Sequence, residues 1–324
     1  MKIAVLGAGA MGSVYGARLL ASGADVTLLD VNEDHIAAVR ENGLQVALDD
    51  QTLHLNIPIQ RPEEFAGPVD LILLFTKTFH TEAALKSVQP LLKTTPVMSL
   101  QNGIGNVERL AQLTSMDRII IGTTMTPADM IAPGKVASHG AATTQFYAAD
   151  GQHRPILDEI ARTLCAAGIE ASLDANIQAA IWHKAAFNCA VNGLCALSDG
   201  TPGSVGHSAY GRALAVQVAQ EVVNVAHASG VAADFDVVRS TMQHAFDNHH
   251  FHEPSMLQDR KAGRRTEIDA LNGAVAAMGA RLNVSVNANM LIMQLVHLFE
   301  DTHTWRNARA TTHSRQPEQD ANIS

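Results

Sequence analysis

The sequence predicts an α/β protein with an N-terminal Rossmann-type dinucleotide-binding domain followed by an all-helical C-terminal domain. Three observations predict it. Short β-branched runs alternate with helical periods through the first half, which is the pattern of a mostly parallel sheet covered by helices. Gly7, Gly9 and Gly12 lie between the first strand-like run and the first helical one. After about Leu173 the strand candidates give way to long, often Ala-rich segments of helical period.

The elements follow in order. "KIAVLG" reads as a strand and "AMGSVYGARLLASG" as a helix closed by Gly23. "DVTLLD" is the second strand, and "VNEDHIAAVRENG" is a second helix ending at Gly43. The runs "DLILLFT", "VMSLQNG", "RIIIGTT" and "KVASHG" continue at βα-like spacing. Helical segments are expected over 176–200, 207–229, 232–248, 254–282 and 285–300. The domains are therefore expected at 1–173 and 174–306. The polar, aperiodic stretch 307–324 is expected to be a disordered tail.

Bulk properties narrow the function. The 324 residues are enough for two real cores, and the net charge of -9 argues against nucleic acid or an anionic membrane as partner. No apolar run reaches the roughly 18 residues that a bilayer span requires. "MKIAVLGAGAMGSVYGA" superficially resembles a secretory signal, but its regular glycines and the strand-like "ADVTLLD" that follows argue otherwise. Cys165, Cys189 and Cys195 show no metal spacing, and their odd number suits free thiols in a reducing, cytoplasmic setting. Oligomeric state is not legible, and a homodimer is the base-rate expectation.

In "VLGAGAMG", Gly7 permits the tight turn, Gly9 lets backbone approach a pyrophosphate, and Gly12 allows close helix–strand packing. The amides of Ala10 and Met11 open the helix at the expected phosphate position. Asp30, at the end of the second strand, is placed to hydrogen-bond the adenosine ribose. Its charge would repel a 2′-phosphate by around 4 kcal/mol at 4 Å and an effective dielectric of roughly 20, so NAD(H) is expected over NADP(H). Asp25 is the alternative carboxylate if the strand register differs.

A second pattern lies in "IWHKAAFNCAVNGLCAL". Lys184, Asn188 and Asn192 are four residues apart and line one helix face, drifting about 40° per step, in a segment otherwise fit for burial. This row, with "SMLQDRKAGRRTEIDALNG" (Ser255 to Gly273), "KT" at Lys77 and "LQNGIGN" around Asn102, resembles the ketopantoate reductase family over residues 1 to about 300. The resemblance implies reduction of a small-molecule 2-oxo acid to a 2-hydroxy acid with a nicotinamide cofactor, 2-dehydropantoate to pantoate in the first instance. It implies that Lys184 donates the proton and that Glu267 hydrogen-bonds the reacting oxygen. It assigns the substrate carboxylate to Ser255, and gives Asn102, Asn188 and Asn192 the orienting of substrate and nicotinamide. Lys77 is expected near cofactor or substrate.

The chain departs from the family pattern in three places. Val31 stands where the family carries an arginine and prefers NADPH. Pro202 falls near a family asparagine. His252 occupies another family asparagine's place and is expected to contact substrate. These departures keep a second reading open, an NAD-dependent D-2-hydroxyacid dehydrogenase acting on other bulky, branched or aromatic 2-oxo acids. A non-catalytic NAD(H) sensor is a third. His244, His249, His250 and His252 lack metal-ligand spacing, and no metal is expected. For Glu267, the competing account is a surface ion pair with Arg264 or Lys261.

Overall fold

The computed structural model describes the backbone of residues 1–313 and the side chains through Thr302. Two compact units divide between Ile181 and Trp182.

The first unit opens with β1 (Lys2–Leu6), α1 (Ala10–Ala21), β2 (Asp25–Leu29) and α2 (Glu33–Asn42). There follow β3 (Leu44–Ala47), β4 (Thr52–Leu55), β5 (Ile59–Gln60), β6 (Leu71–Leu74), α3 (Thr81–Ser87), β7 (Val97–Ser99) and α4 (Asn106–Leu110). It ends with β8 (Ile119–Thr124), β9 (Asp129–Ala132), β10 (Lys135–Ala137), β11 (Thr143–Ala148), α5 (Pro155–Ala166), β12 (Glu170–Leu173) and the first turn of α6 (Ile177–Ser198).

One sheet has the order β12-β11-β8-β7-β6-β1-β2-β5. The strands from β8 to β5 are parallel, and β11 joins β8 antiparallel. Its strands are apolar on both faces, as a sheet covered on both sides requires. Val5, Leu28, Leu73 and Met98 feed one core, while Leu6, Leu29, Leu74 and Val97 feed the other. Each such fully buried side chain contributes about 1.5–3 kcal/mol. The chain reverses direction across the sheet on either side of β1, so the loop after β1 sits at a topological switch point, where such sheets bind ligands.

A second sheet, β4-β3-β10-β9, was not legible in the sequence, and it takes "KVASHG" out of the main sheet. These strands are short, and three of the four alternate in burial only weakly or not at all.

The second unit contains the rest of α6, then α7 (Pro202–His207), α8 (Ala209–Ala228), α9 (Phe235–Asn248), α10 (Ser255–Lys261), α11 (Asn272–Leu282) and α12 (Asn287–His313). It is helical, as expected. The boundary falls eight residues beyond the expected one because Ile177, Ala180 and Ile181, on the first turn of α6, pack into the sheet's second core. The expected helix over 254–282 is interrupted after Lys261. Gly263 adopts a φ of +65°, and an irregular stretch with a short 3-10 turn at Ile268–Ala270 precedes α11. The stretch 307–313, expected to be disordered, continues α12 as helix, and 314–324 lie outside the described residues. At Gly193 an added Cβ would fall 2.5 Å from Ile292, so glycine there lets α12 approach α6 closely.

Candidate active site

The glycine-rich loop is shaped by contacts that only glycine satisfies. Gly7 has a φ of +97°, and a Cβ on it would lie 2.6 Å from the Thr76 amide nitrogen. A Cβ on Gly12 would lie 2.0 Å from the Gly7 carbonyl oxygen. Gly9 differs, because its Cβ position meets nothing within 4 Å. It caps α1 without a side-chain hydrogen bond, so the amides of Ala10, Met11 and Gly12 begin the helix beside open space. A turn held by two glycines, with the third facing out beside a helix N-terminus, fits a dinucleotide pyrophosphate.

Asp30 is held by contacts on both sides of it. Its carboxylate accepts from the amides of Ala8 (2.6 Å), Val31 (2.8 Å) and Asn32 (2.9 Å), so it both ties down the glycine loop and caps the turn into α2. With three acceptor positions in use and about four available, it retains room for a ribose hydroxyl. Asp25, the alternative carboxylate, lies in register with Lys2 at the opposite end of β2, away from the glycine loop. Lys77 and Asn102 follow β6 and β7 and are half-buried. The Asn102 carbonyl accepts from the Asn106 side chain, which shapes that loop.

In the second unit, α6 carries the polar row. Asn188 and Asn192 are only 8% and 5% exposed, yet neither side-chain amide hydrogen-bonds to another group among the described residues. Two other buried asparagines donate through their side-chain nitrogens, although the Asn272 Oδ1 has no partner among the described residues. Asn272 donates to the Cys189 carbonyl (3.1 Å) and to Asn289 (3.0 Å), and Asn289 donates to Val218 and Glu221. The polar atoms of Asn188 and Asn192 are not sealed from solvent, so both amides are left able to hydrogen-bond a ligand.

Lys184 keeps part of its surface open, but dense protein around its ammonium lowers its pKa to about 8, against the opposing charge of Glu267. Glu267 is itself buried. The cations expected to compete for it are occupied elsewhere: Arg264 bonds Asp259 at 3.0 Å and Lys261 pairs with Glu253. Asp259 and Asp269 hold structural pairs, the latter with Arg265 and His297.

Ser255 and His252 are exposed, and the His252 ring lies 5.6 Å from that of His249. Among the described residues no group of three or more His, Cys, Asp or Glu could hold a metal ion. A cavity of about 390 Å³ lined by Ala196, Arg260, Thr266, His297 and Phe299 does not include the α6 row. The sequence reading missed Ser13 and His35, buried side chains behind the glycine loop, because their spacing carries no motif.

The family model described as Ketopantoate reductase PanE/ApbA matches residues 3–151, and its C-terminal counterpart matches 176–300. The 2-dehydropantoate 2-reductase of Lactococcus lactis is 33% identical over 307 residues, covering 93% of this chain and 98% of that protein. The chain belongs to the ketopantoate reductase family. A 2-dehydropantoate 2-reductase from Pyrococcus horikoshii is also 33% identical, over 91% of this chain and 96% of that one. Among solved structures of this fold, a ternary structure of D-mandelate dehydrogenase with NADH and anilino(oxo)acetate superposes with a TM-score of 0.90. It is 33% identical, covering 93% of this chain and 99% of the other. The family match thus spans both units, and the range of its second part covers Lys184 and Glu267.

Proposed function

We propose that this chain reduces 2-dehydropantoate to pantoate with a nicotinamide cofactor, using NAD(H) in preference to NADP(H). The observation that carries this reading is the buried row on α6. Two amides without protein partners stand beside a lysine whose pKa of about 8 suits proton donation near neutral pH. The family's curated relatives named 2-dehydropantoate 2-reductase support the substrate.

When bound, the reduced nicotinamide supplies a hydride to the keto carbon. As the carbonyl π pair moves onto oxygen, Lys184 gives that oxygen its proton, and the lysine is reprotonated from solvent. Glu267 supports the charged form of Lys184 and can accept from the new hydroxyl. Asn188 and Asn192 donate to the substrate's oxygens, with Asn102, Ser255 and His252 contributing further polar contacts, and Lys77 serving cofactor or substrate. Gly7, Gly9, Ala10, Met11 and Gly12 cradle the pyrophosphate, and the Asp30 carboxylate favours a free ribose 2′-hydroxyl over a 2′-phosphate.

A second reading, reduction of other bulky 2-oxo acids, draws support from the likeness to D-mandelate dehydrogenase and from Pro202 and His252, which the resemblance puts near one family asparagine and at another. NADH oxidation with a panel of 2-oxo acids tests both. Fastest turnover of 2-dehydropantoate supports the first reading, and fastest turnover of benzoylformate or branched oxo acids supports the second. No turnover of any would overturn both in favour of a sensor. The three unpaired thiols accord with a cytoplasmic setting, and the apolar side chains exposed on α8 and α12, among them Tyr210, Leu214, Leu291 and Leu298, accord with a homodimer.

A further inference from the structure

Behind the glycine-rich loop runs a chain of hydrogen bonds whose directions follow from one backbone donor. The Gly134 amide donates to His35 Nδ1 at 3.1 Å. That nitrogen must therefore present its lone pair, which leaves the ring proton on Nε2. Nε2 lies 3.3 Å from Ser13 Oγ and donates to it. With that lone pair taken, the Ser13 hydroxyl donates to the Ala8 carbonyl at 2.8 Å. His35 is 3% exposed and Ser13 is fully buried, so water does not compete for these bonds.

The Ala8 carbonyl belongs to the peptide whose N–H is that of Gly9. A trans peptide is planar, with C=O and N–H antiparallel, so turning the carbonyl toward Ser13 turns the Gly9 amide away from it. Asp30 fixes the preceding peptide in the same manner, by accepting from the Ala8 amide. Two successive peptides of the phosphate-binding turn are thus each held by one side-chain anchor.

We propose that His35 is a positioning residue for the dinucleotide: its neutral, Nε2-protonated ring holds the Ala8–Gly9 peptide through Ser13, and cofactor affinity depends on that tautomer. The inference rests on the reading of the glycine loop as a dinucleotide site. A protonated ring carries N–H on both nitrogens, and Nδ1–H would then face the Gly134 amide, breaking the first link. Burial lowers the pKa of His35, and Asp30 raises it by a smaller amount. Glu33 and Asp34 on the same helix, and Lys135 beside Gly134, are exposed. The ring is therefore neutral at physiological pH, and affinity should be level there and fall as pH drops below 6.5.

The test is calorimetric titration with NAD⁺, which is stable in acid, between pH 5.5 and 8, on the wild type, Ser13→Ala and His35→Gln. The wild type should bind several-fold more weakly at pH 5.5 than at 7.5. Ser13→Ala should lose about five-fold at pH 7.5, the worth of one net hydrogen bond, and most of its pH dependence. His35→Gln, whose amide can donate to Ser13 but does not titrate, should bind more tightly than Ser13→Ala and remain level in pH. Nitrogen-15 shifts of the His35 ring in the unliganded wild type should report Nδ1 bare and Nε2 protonated. The opposite tautomer, or an affinity in Ser13→Ala equal to the wild type's, would overturn the proposal. A wild type that binds no NAD⁺ at pH 7.5 would overturn the dinucleotide reading itself.

Discussion

The negative charge of Glu267 acts on the ammonium of Lys184 and opposes the burial that brings that group's pKa down to about 8. Turnover in the reducing direction needs the protonated amine, so its rate should fall as pH rises through about 8. Removing the opposing charge in Glu267→Gln should move that falling limb to lower pH. A pH profile of kcat for both proteins checks the direction, and a limb that stays in place or moves upward would contradict the coupling.

Lys184→Met separates chemistry from stability. Loss of a general acid should lower kcat by about 10²- to 10⁴-fold, while NADH affinity is retained. The same change should stabilise the protein at pH 7. A lysine whose folded pKa lies below 10.5 is harder to charge in the native state, and that cost is fully present below pH 8. It is relieved between pH 8 and 10.5, where the unfolded chain holds more protons than the native one. The shift corresponds to roughly 3 kcal/mol at most, readable as a raised urea midpoint at pH 7 that converges with the wild type near pH 10.5.

Asn192→Ala and Asn272→Ala should behave oppositely, although both remove a buried amide. Asn272 is bonded to Cys189 and Asn289, so its loss should cost about 1–3 kcal/mol of stability. Asn192 has no such partner among the described residues. Its replacement should leave the melting temperature nearly unchanged while raising KM for the oxo acid about ten-fold or more. Calorimetric melting alongside steady-state kinetics distinguishes the two.

The glycines of the loop should divide likewise. Gly9→Ala places its methyl in open space, so the protein should fold with ordinary stability and lose NADH binding. Gly12→Ala drives its Cβ against the Gly7 carbonyl and should lose both. Thermal melts and NADH titration of the two variants give the comparison.

Asp30→Asn should move the ratio of NADPH to NADH use toward NADPH by about 10- to 100-fold, since it removes the charge that repels a 2′-phosphate. Asparagine keeps one carboxamide oxygen for the Val31 and Asn32 amides but loses the second acceptor, which holds the Ala8 amide. Overall affinity for both cofactors should therefore fall as well. An unchanged ratio of kcat/KM values would remove Asp30 from cofactor selection.

The sequence by itself determined the glycine turn, the parallel sheet and the helical second unit, because each rests on a local signal: spacing around a tight turn, apolar strands buried on both faces, and helical period. It also aligned Lys184, Asn188 and Asn192, since the geometry of one helix is contained in residue spacing. Tertiary structure alone decided the rest. The second sheet joins β3 to β10 across almost ninety residues, with short strands that carry little pattern of their own. The assignment of Arg264 to Asp259, which leaves Glu267 to act on Lys184, depends on how the irregular stretch after α10 folds. His35 reaches the glycine loop only because α2 packs beside α1 and the turn before β10. Burial and partnership are properties of neighbours distant in the chain, and no periodicity encodes them.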